Sequence, residues 1–288
     1  DGRTKRNSLR GGAVASELSK RRAVAAIGIP VCIAVAYTGG VVFAAGLGVL
    51  AYLGVGEIGA MLGDRGSRHM NRVGALLAGL FPLAAFLFGP QAVGWLAVAC
   101  LLGLLGFATL HIPPPEMPFQ TAALTFTAVL YVGGLLSFGV SLREYLPERL
   151  EGTLLFFLPV VVTWVVDTAA YTGGRAMGRR KMAPAISPNK TVEGGLSGLL
   201  AGPIAAVTYA WIALPGFTAS LGLGLLVVLG FMLAAAAILG DLVESSLKRE
   251  CQVKDSSALL PGHGGLLDRM DSLLWTIPVA YFFIAMFA

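Results

Sequence analysis

Apolar runs long enough to cross a lipid bilayer recur along the whole chain, and no other feature restricts its fold so strongly. A spanning helix needs ~20 mostly apolar residues, because hydrocarbon offers no partner to an unpaired backbone N–H or C=O. Nine candidate spans can be marked: 23–37, 41–61, 73–88, 92–110, 119–140, 154–171, 194–214, 221–242 and 272–287. Composition agrees. Only 13% of the 288 residues are charged, against roughly 25% in a soluble domain, while 56% are hydrophobic. The 38 glycines suit helices that pack closely in lipid. The expected fold is all-α, a polytopic membrane bundle of about nine transmembrane helices.

The basic residues give an orientation. With the N-terminus in the cytoplasm, the inner side collects Arg3, Lys5, Arg6, Arg10, Lys20, Arg21 and Arg22 from the N-terminal segment, and Arg65, Arg68 and Arg72 after the second span. It also collects Arg175, Arg179, Arg180, Lys181 and Lys190 after the sixth, and Lys248, Arg249, Lys254 and Arg269 after the eighth. Only Arg143 and Arg149 fall outside. Residues 1–20 lack an apolar h-region and read as a flexible basic tail rather than a cleavable signal. Residues 21–142 read as N-terminal helices for packing or dimerisation, and 153–288 as a catalytic transmembrane domain with cytoplasmic loops. Cys32, Cys100 and Cys251 are scattered without metal-ligand spacing and read as inert thiols. The basic residues lack the aromatic interleaving of a nucleic-acid surface, so no nucleic-acid partner is expected.

Carboxylates at membrane depth are costly and usually mark function. Asp167 lies inside an apolar span, and Asp241 and Glu244 close the eighth. Asp241, Glu244, Ser245 and Lys248 share one helix face at i, i+3, i+4 and i+7. Glu57, near the end of the second span, reads as a residue that snorkels to the interface or caps a loop.

The most specific text runs from Ser245 to Asp271. Lys248, Arg249, Lys254 and Arg269 are suited to phosphate oxygens. Gly262, Gly264 and Gly265 flank His263 and let a ligand approach the main chain. Asp268 and Asp271, three apart at the start of the last helix, suit a hard cation, and Mg²⁺ typically takes one or two carboxylates plus substrate phosphates. The 184–195 loop, with Ser187, Pro188, Asn189, Lys190, Thr191 and Glu193, adds phosphate and base donors and a helix start. No Walker A loop occurs.

The pattern Ser245-x-Leu-Lys-Arg-x4-Lys254-Asp255-x-Ser257-x2-Leu-Pro-x-His263-Gly-Gly-Leu-x-Asp268-Arg269-Met-Asp271 resembles the signature of phosphatidate cytidylyltransferases, the CDP-diacylglycerol synthases. Asp167-Thr-Ala-Ala-Tyr171 and Ser187-Pro-Asn-Lys-Thr-x-Glu-Gly194 are similar to further pieces of that family, Asn189 standing where lysine is often found. The resemblance implies that a phosphatidic acid oxygen attacks the α-phosphorus of CTP and pyrophosphate leaves. It implies Asp241 and Asp268 as leading Mg²⁺ ligands, with Asp167, Glu244 and Asp271 for a second cation or the outer shell. Lys190, Lys248, Arg249, Lys254 and Arg269 would hold phosphates, and Asp255 would orient one of these cations. His263 is a general base or a loop-positioning donor. Tyr171, Ser187, Pro188, Asn189, Thr191, Glu193, Gly264 and Gly265 would line the substrates. A homodimer embedded among membrane lipids is the expected assembly. A CTP-dependent polyprenol kinase and a cation-coupled transporter are the rival readings. The transporter leaves the basic, glycine-flanked loop unexplained, and the absence of Asp-Gly-x2-Ala-Arg disfavours a CDP-alcohol phosphotransferase.

Overall fold

The computed structural model describes residues 26–63, 68–259 and 264–288, without the side chains of residues 68 and 69. The 1–20 tail, the first three residues of the first expected span, Arg21, Arg22, Arg65 and His263 lie outside the described residues.

Among the described residues, twelve α-helices carry the fold. They are α1 (Ala26–Thr38), α2 (Gly40–Leu62), α3 (Arg68–Phe88), α4 (Ala92–His111), α5 (Pro118–Val129), α6 (Leu135–Arg143) and α7 (Arg149–Met177). Then follow α8 (Val192–Ala213), α9 (Pro215–Leu221), α10 (Leu223–Glu250), α11 (Leu267–Met270) and α12 (Leu273–Phe287). Among the described residues, 8 helical stretches are long and apolar enough to cross a membrane, and α1 is a shorter apolar helix. The expected span at 119–140 is in fact a composite over Pro114–Arg143. A 3₁₀ turn at Pro114–Glu116 leads into α5, and a π-helical segment at Leu130–Gly134 joins α5 to α6.

Several helices run past the apolar windows that mark them in sequence. α7 continues to Met177 and α10 to Glu250, because helical hydrogen bonding need not stop where hydrocarbon does. Both extensions matter for function: they carry the polar residues of the site out of the bilayer on rigid stems.

Among the described residues a small apolar core around Met70, Leu104 and Ala122 joins α3, α4 and α5, and two larger ones hold the bundle. One joins Phe43, Leu47 and Val55 of α2 to Phe81 of α3, Val129 of α5 and Leu136 of α6, together with Leu274 and Ile277 of α12. The other joins Leu158 and Val162 of α7, Ala206 of α8 and Leu229 and Leu233 of α10 to Phe283 and Ile284 of α12. The last helix is therefore a shared wall of both larger cores. Many other large apolar side chains face outward, among them Trp95, Leu102, Ile204, Trp211 and Ile212. This is the pattern expected when lipid is the outer solvent.

The all-α expectation has one exception. Lys181–Ala183 (β1) pairs antiparallel with Ser187–Thr191 (β2), Lys181 opposite Thr191 and Ala183 opposite Ser187. A turn closes the hairpin through Ile186 N–H donating to the Ala183 carbonyl at 3.1 Å. The segment is polar and short, so its backbone bonds to itself rather than extending α7 or α8.

At the end of the bundle away from this hairpin, Arg143 is buried. Its Nε donates to the Ala36 carbonyl at 2.8 Å and Nη2 to Tyr37 at 3.3 Å, satisfying carbonyls at the end of α1. The neighbouring Glu144 accepts from Gly40 N–H at 2.9 Å, at the start of α2. Arg149 lies over the Tyr37 ring, 5.8 Å from its centroid. The two basic residues of this end thus close a helix–helix corner.

Candidate functional site

The other end of the bundle gathers nearly every residue singled out in the sequence. The hairpin arm is built first. Thr191 is the N-cap of α8, its hydroxyl accepting from Gly194 N–H at 3.2 Å. Glu193, in the first turn of α8, reaches back to accept from the backbone N–H of Arg179 at 3.0 Å and of Arg180 at 3.2 Å. The start of α8 and the end of α7 are thereby tied together. Arg249 Nε donates to the Ile186 carbonyl at 3.1 Å, fixing the hairpin turn against α10. Along the hairpin Ser187 and Thr191 are half-buried, whereas Pro188 and Asn189 are exposed. Tyr171 and Asp167 are exposed on α7, one turn apart.

Charge is concentrated where α10, the hairpin and the start of the last helix meet. Lys190 Nζ lies 2.5 Å from Asp241 Oδ2. Ser245 Oγ donates to the other Asp241 oxygen at 3.2 Å. One turn on, Lys248 Nζ sits 2.6 Å from Glu244 Oε2 and 2.7 Å from Asp268 Oδ1. The single helix face expected for Asp241, Glu244, Ser245 and Lys248 is what α10 presents. Glu244 is fully buried, with Lys248 as its ion-pair partner. Removing one partner of such a buried pair leaves an uncompensated charge and costs about 3–5 kcal/mol.

Asp268 is the most heavily used carboxylate. While Oδ1 takes Lys248, Oδ2 accepts from Gly265 N–H at 2.8 Å and Ser256 N–H at 3.0 Å. It therefore closes the 256–265 loop as well as pairing a lysine. Asp271, three residues on, makes a different hydrogen bond, although it too lies in the field of Lys248 and Glu244. Its Oδ1 accepts from Ser272 N–H at 2.6 Å, and its charge is felt with those of Asp241 and Asp167. Asp167 in turn interacts with Asp241 and Lys190. Asp167 of α7, Asp241 of α10 and Asp271 thus lie within one another's field, and Asp271 also links them to Glu244, Asp268 and Lys248.

Of the remaining sequence candidates, Lys254, Asp255 and Arg269 are exposed beside this cluster. Gly264 has φ +80°, a conformation that L side chains rarely adopt. Gly265 is required by space: a Cβ there would overlap Ser256 Oγ and lie 2.6 Å from Glu57 Oε2.

Of the two roles read for Glu57 in sequence, the structure shows the loop cap and not the snorkel: at 6% exposure it is buried inside the bundle. What sequence did not show is which loop it caps. It accepts from Ser257 Oγ at 2.6 Å and from Ser256 Oγ, Leu266 N–H and Leu267 N–H, each at 2.8 Å. Two backbone donors at the start of α11 point at this carboxylate, as they would at an N-cap supplied from another helix. The available signal was the placement of a carboxylate in an otherwise apolar span, and its partners lie about two hundred residues away in sequence.

Among the described residues no three His, Cys, Asp or Glu side chains are arranged as a ready-made metal site. The donors nevertheless fit Mg²⁺ of the substrate-completed kind, which needs one or two carboxylates and takes its other oxygens from phosphates and water. Asp167, Asp241 and Asp271 are hard oxygen donors, and Asp241 already faces one positive charge, the Lys190 ammonium.

A sequence model of the cytidylyltransferase family matches residues 19–287. The chain is similar to the phosphatidate cytidylyltransferase of Bacillus subtilis, 34% identical over 219 residues covering 75% of this chain and 78% of the relative. It is also similar to the enzyme of that name from Haemophilus influenzae, 34% identical over 197 residues covering 67% and 68%. For that of Staphylococcus epidermidis the figures are 34% over 196 residues, 66% and 72%.

Proposed function

The chain belongs to the cytidylyltransferase family, and from that premise we propose that it joins CTP to phosphatidic acid, forming CDP-diacylglycerol and releasing pyrophosphate. It is a nucleotidyltransferase and an integral membrane protein. The observation that carries this reading is the meeting of Asp241, Lys190, Lys248 and Asp268 at one end of the bundle, drawn from three separate stretches of sequence.

Displacement at phosphorus asks the protein for alignment and charge compensation rather than covalent help. Lys190 and Lys248 now rest on carboxylates, so each is held within the site before substrate arrives and can turn from a carboxylate to a phosphate oxygen. Arg249, Lys254 and Arg269, exposed beside the cluster, would meet an entering triphosphate. The hairpin residues Ser187, Pro188, Asn189 and Thr191 offer a wall for the nucleotide, fixed from behind by Glu193. Asp241, with Asp167 and Asp271 beside it, would hold Mg²⁺, while a ligand role for Asp268 requires its Oδ1 to exchange Lys248. The metal would supply charge neutralisation on the triphosphate. Glu244 stays with Lys248 and sets where that ammonium stands. A phosphate monoester is already largely ionised at neutral pH, so His263 is not needed as a base.

The lipid headgroup would reach Asp167 sideways from the membrane. Val161, Trp164, Val165 and Thr168 line an open groove on the outer face of α7 beside it, suited to acyl chains. The basic residues at the site end support a cytoplasm-facing site in the inner membrane, and the family resemblance supports a homodimer. The test is direct: purified protein receives CTP, Mg²⁺ and phosphatidic acid, and pyrophosphate and CDP-lipid are measured. Equal yields of the two are expected. No pyrophosphate under any metal condition would sink the reaction, and CDP release with a phosphorylated prenol would replace it with a kinase.

A further inference from the structure

We propose that Glu57, a buried carboxylate on α2, is a positioning residue of the reaction: it sets Ser256, Ser257 and the start of α11 and, through the Ser256 hydroxyl, the place of Asp268. This rests on the reaction proposed above.

The geometry of this contact is specific. Glu57 receives four hydrogen bonds and no salt bridge among the described residues, and all four donors belong to Ser256, Ser257 or the start of α11. A buried carboxylate without a cation is stable only if its lone pairs are filled, so the four donors are held to it as firmly as it is to them. Ser256 is the link. Its one hydroxyl proton lies between Glu57 Oε2, at 2.8 Å, and Asp268 Oδ2, at 3.1 Å. Its backbone N–H meets the same Asp268 oxygen at 3.0 Å. Beyond Asp268 stands Lys248, at 2.7 Å from the other carboxylate oxygen. A continuous polar chain therefore runs from the N-terminal helices to a lysine placed on the phosphates: Glu57, Ser256, Asp268, Lys248.

Packing makes the arrangement exclusive. Ile58 and Val55, beside Glu57, are buried in the same core as Leu267, Met270 and Leu274 of the last helix. α2 and the loop cannot slide past one another without opening that core. At Gly265 a side chain would meet both Ser256 and Glu57, so the contact leaves no room for another residue. The N-terminal helices, read from sequence as packing material, thus supply the anchor of the catalytic loop.

The experiment measures kcat and KM for CTP on E57Q, S256A and the double variant, each purified and checked for a monodisperse, cooperatively melting state. Gln keeps the volume but presents an NH₂ group to donors. We expect E57Q to lower kcat at least about tenfold with KM for CTP changed less than about threefold, as befits loss of alignment rather than of binding. S256A should lower kcat by a smaller factor, and the double variant should be no worse than E57Q within about twofold, because both act through one chain. E57Q with kcat within twofold of the parent overturns the proposal, and so do losses that multiply in the double variant. Should E57Q not fold, S256A decides alone: a fall in kcat of about fivefold or more, with the melting temperature unchanged, upholds the chain, and an unchanged kcat overturns it. An inactive parent protein would instead count against the reaction itself.

Discussion

The two arms that enclose the site are held in opposite ways. The hairpin arm, residues 181–191, is tied by exposed or half-exposed groups: Thr191 and Glu193 at the start of α8, and Arg249 of α10 on the Ile186 carbonyl. The described part of the signature arm, residues 251–259 and 264–266, is tied by Glu57, a buried carboxylate of α2, and by the half-buried Asp268 of α11. Exposed contacts exchange with water at little cost, whereas a buried donor or acceptor left unpaired costs about 1–3 kcal/mol. By these contacts the hairpin arm is the more loosely held of the two, and residues 256–259 and 264–266 of the signature arm are the more firmly fixed. Each arm also has its own lysine: Lys190 lies on the hairpin, and Lys248 stands on α10.

Substitutions in the two arms should separate on that basis. The largest effect is expected at Asp268, which closes the fixed arm and holds Lys248. Asp268→Asn should lower turnover by about 10³-fold or more, the scale on which a preorganised charge acts in a closed site, while the protein still extracts and elutes as a folded species. Retained pyrophosphate release would remove Asp268 from the site. Gly265→Ala should follow, since its Cβ would displace Ser256; overpacking of about 1–3 kcal/mol is expected, visible as a lower melting temperature together with slower turnover. A normal melting curve in that variant would show that the fixed arm yields after all.

The hairpin arm should respond in affinity rather than in turnover. Lys190→Met should raise KM for CTP about 10- to 100-fold, the worth of one charge-assisted phosphate contact, with a smaller change in kcat. A variant with unchanged KM would place Lys190 on the lipid phosphate or on Asp241 alone. Smallest is Glu193→Gln. It leaves Thr191 to cap α8 and should change KM for CTP by about two- to fivefold, as for one charge at an exposed helix start. An effect as large as that at Asp268 would mean that the two arms are equally fixed, and the contrast between them would fall.

Much of this molecule is written in local sequence. The apolar runs place the spanning helices, because a run of that length has only helical solutions in lipid. The face shared by Asp241, Glu244, Ser245 and Lys248 follows from helical periodicity, and the helix start at Thr191 from its own side chain. The hairpin was not legible. Its strands are polar and only three and five residues long, one carries Pro188, and neither shows the apolar alternation by which strands are read. The π-helical join at Leu130–Gly134 was equally silent, since its residues would suit an ordinary helix.

The pairing of carboxylates shows the boundary most clearly. Spacing alone placed Asp268 with Asp271 as neighbours of one cation. The fold gives them different hydrogen-bond partners: Asp268 takes Lys248 and the backbone N–H groups of Ser256 and Gly265, and Asp271 takes Ser272 N–H, with Asp241, Asp167 and Lys248 in its field. Sequence by itself determined the lipid environment, the helical spans and the inventory of charged groups near the site, since these depend on composition and on contacts within a few residues. Only the tertiary structure decided which charge meets which, and that Glu57, buried in an N-terminal span, anchors a loop two hundred residues away. That contact exists because the bundle brings α2 beside the last helix, and no local periodicity encodes such an approach.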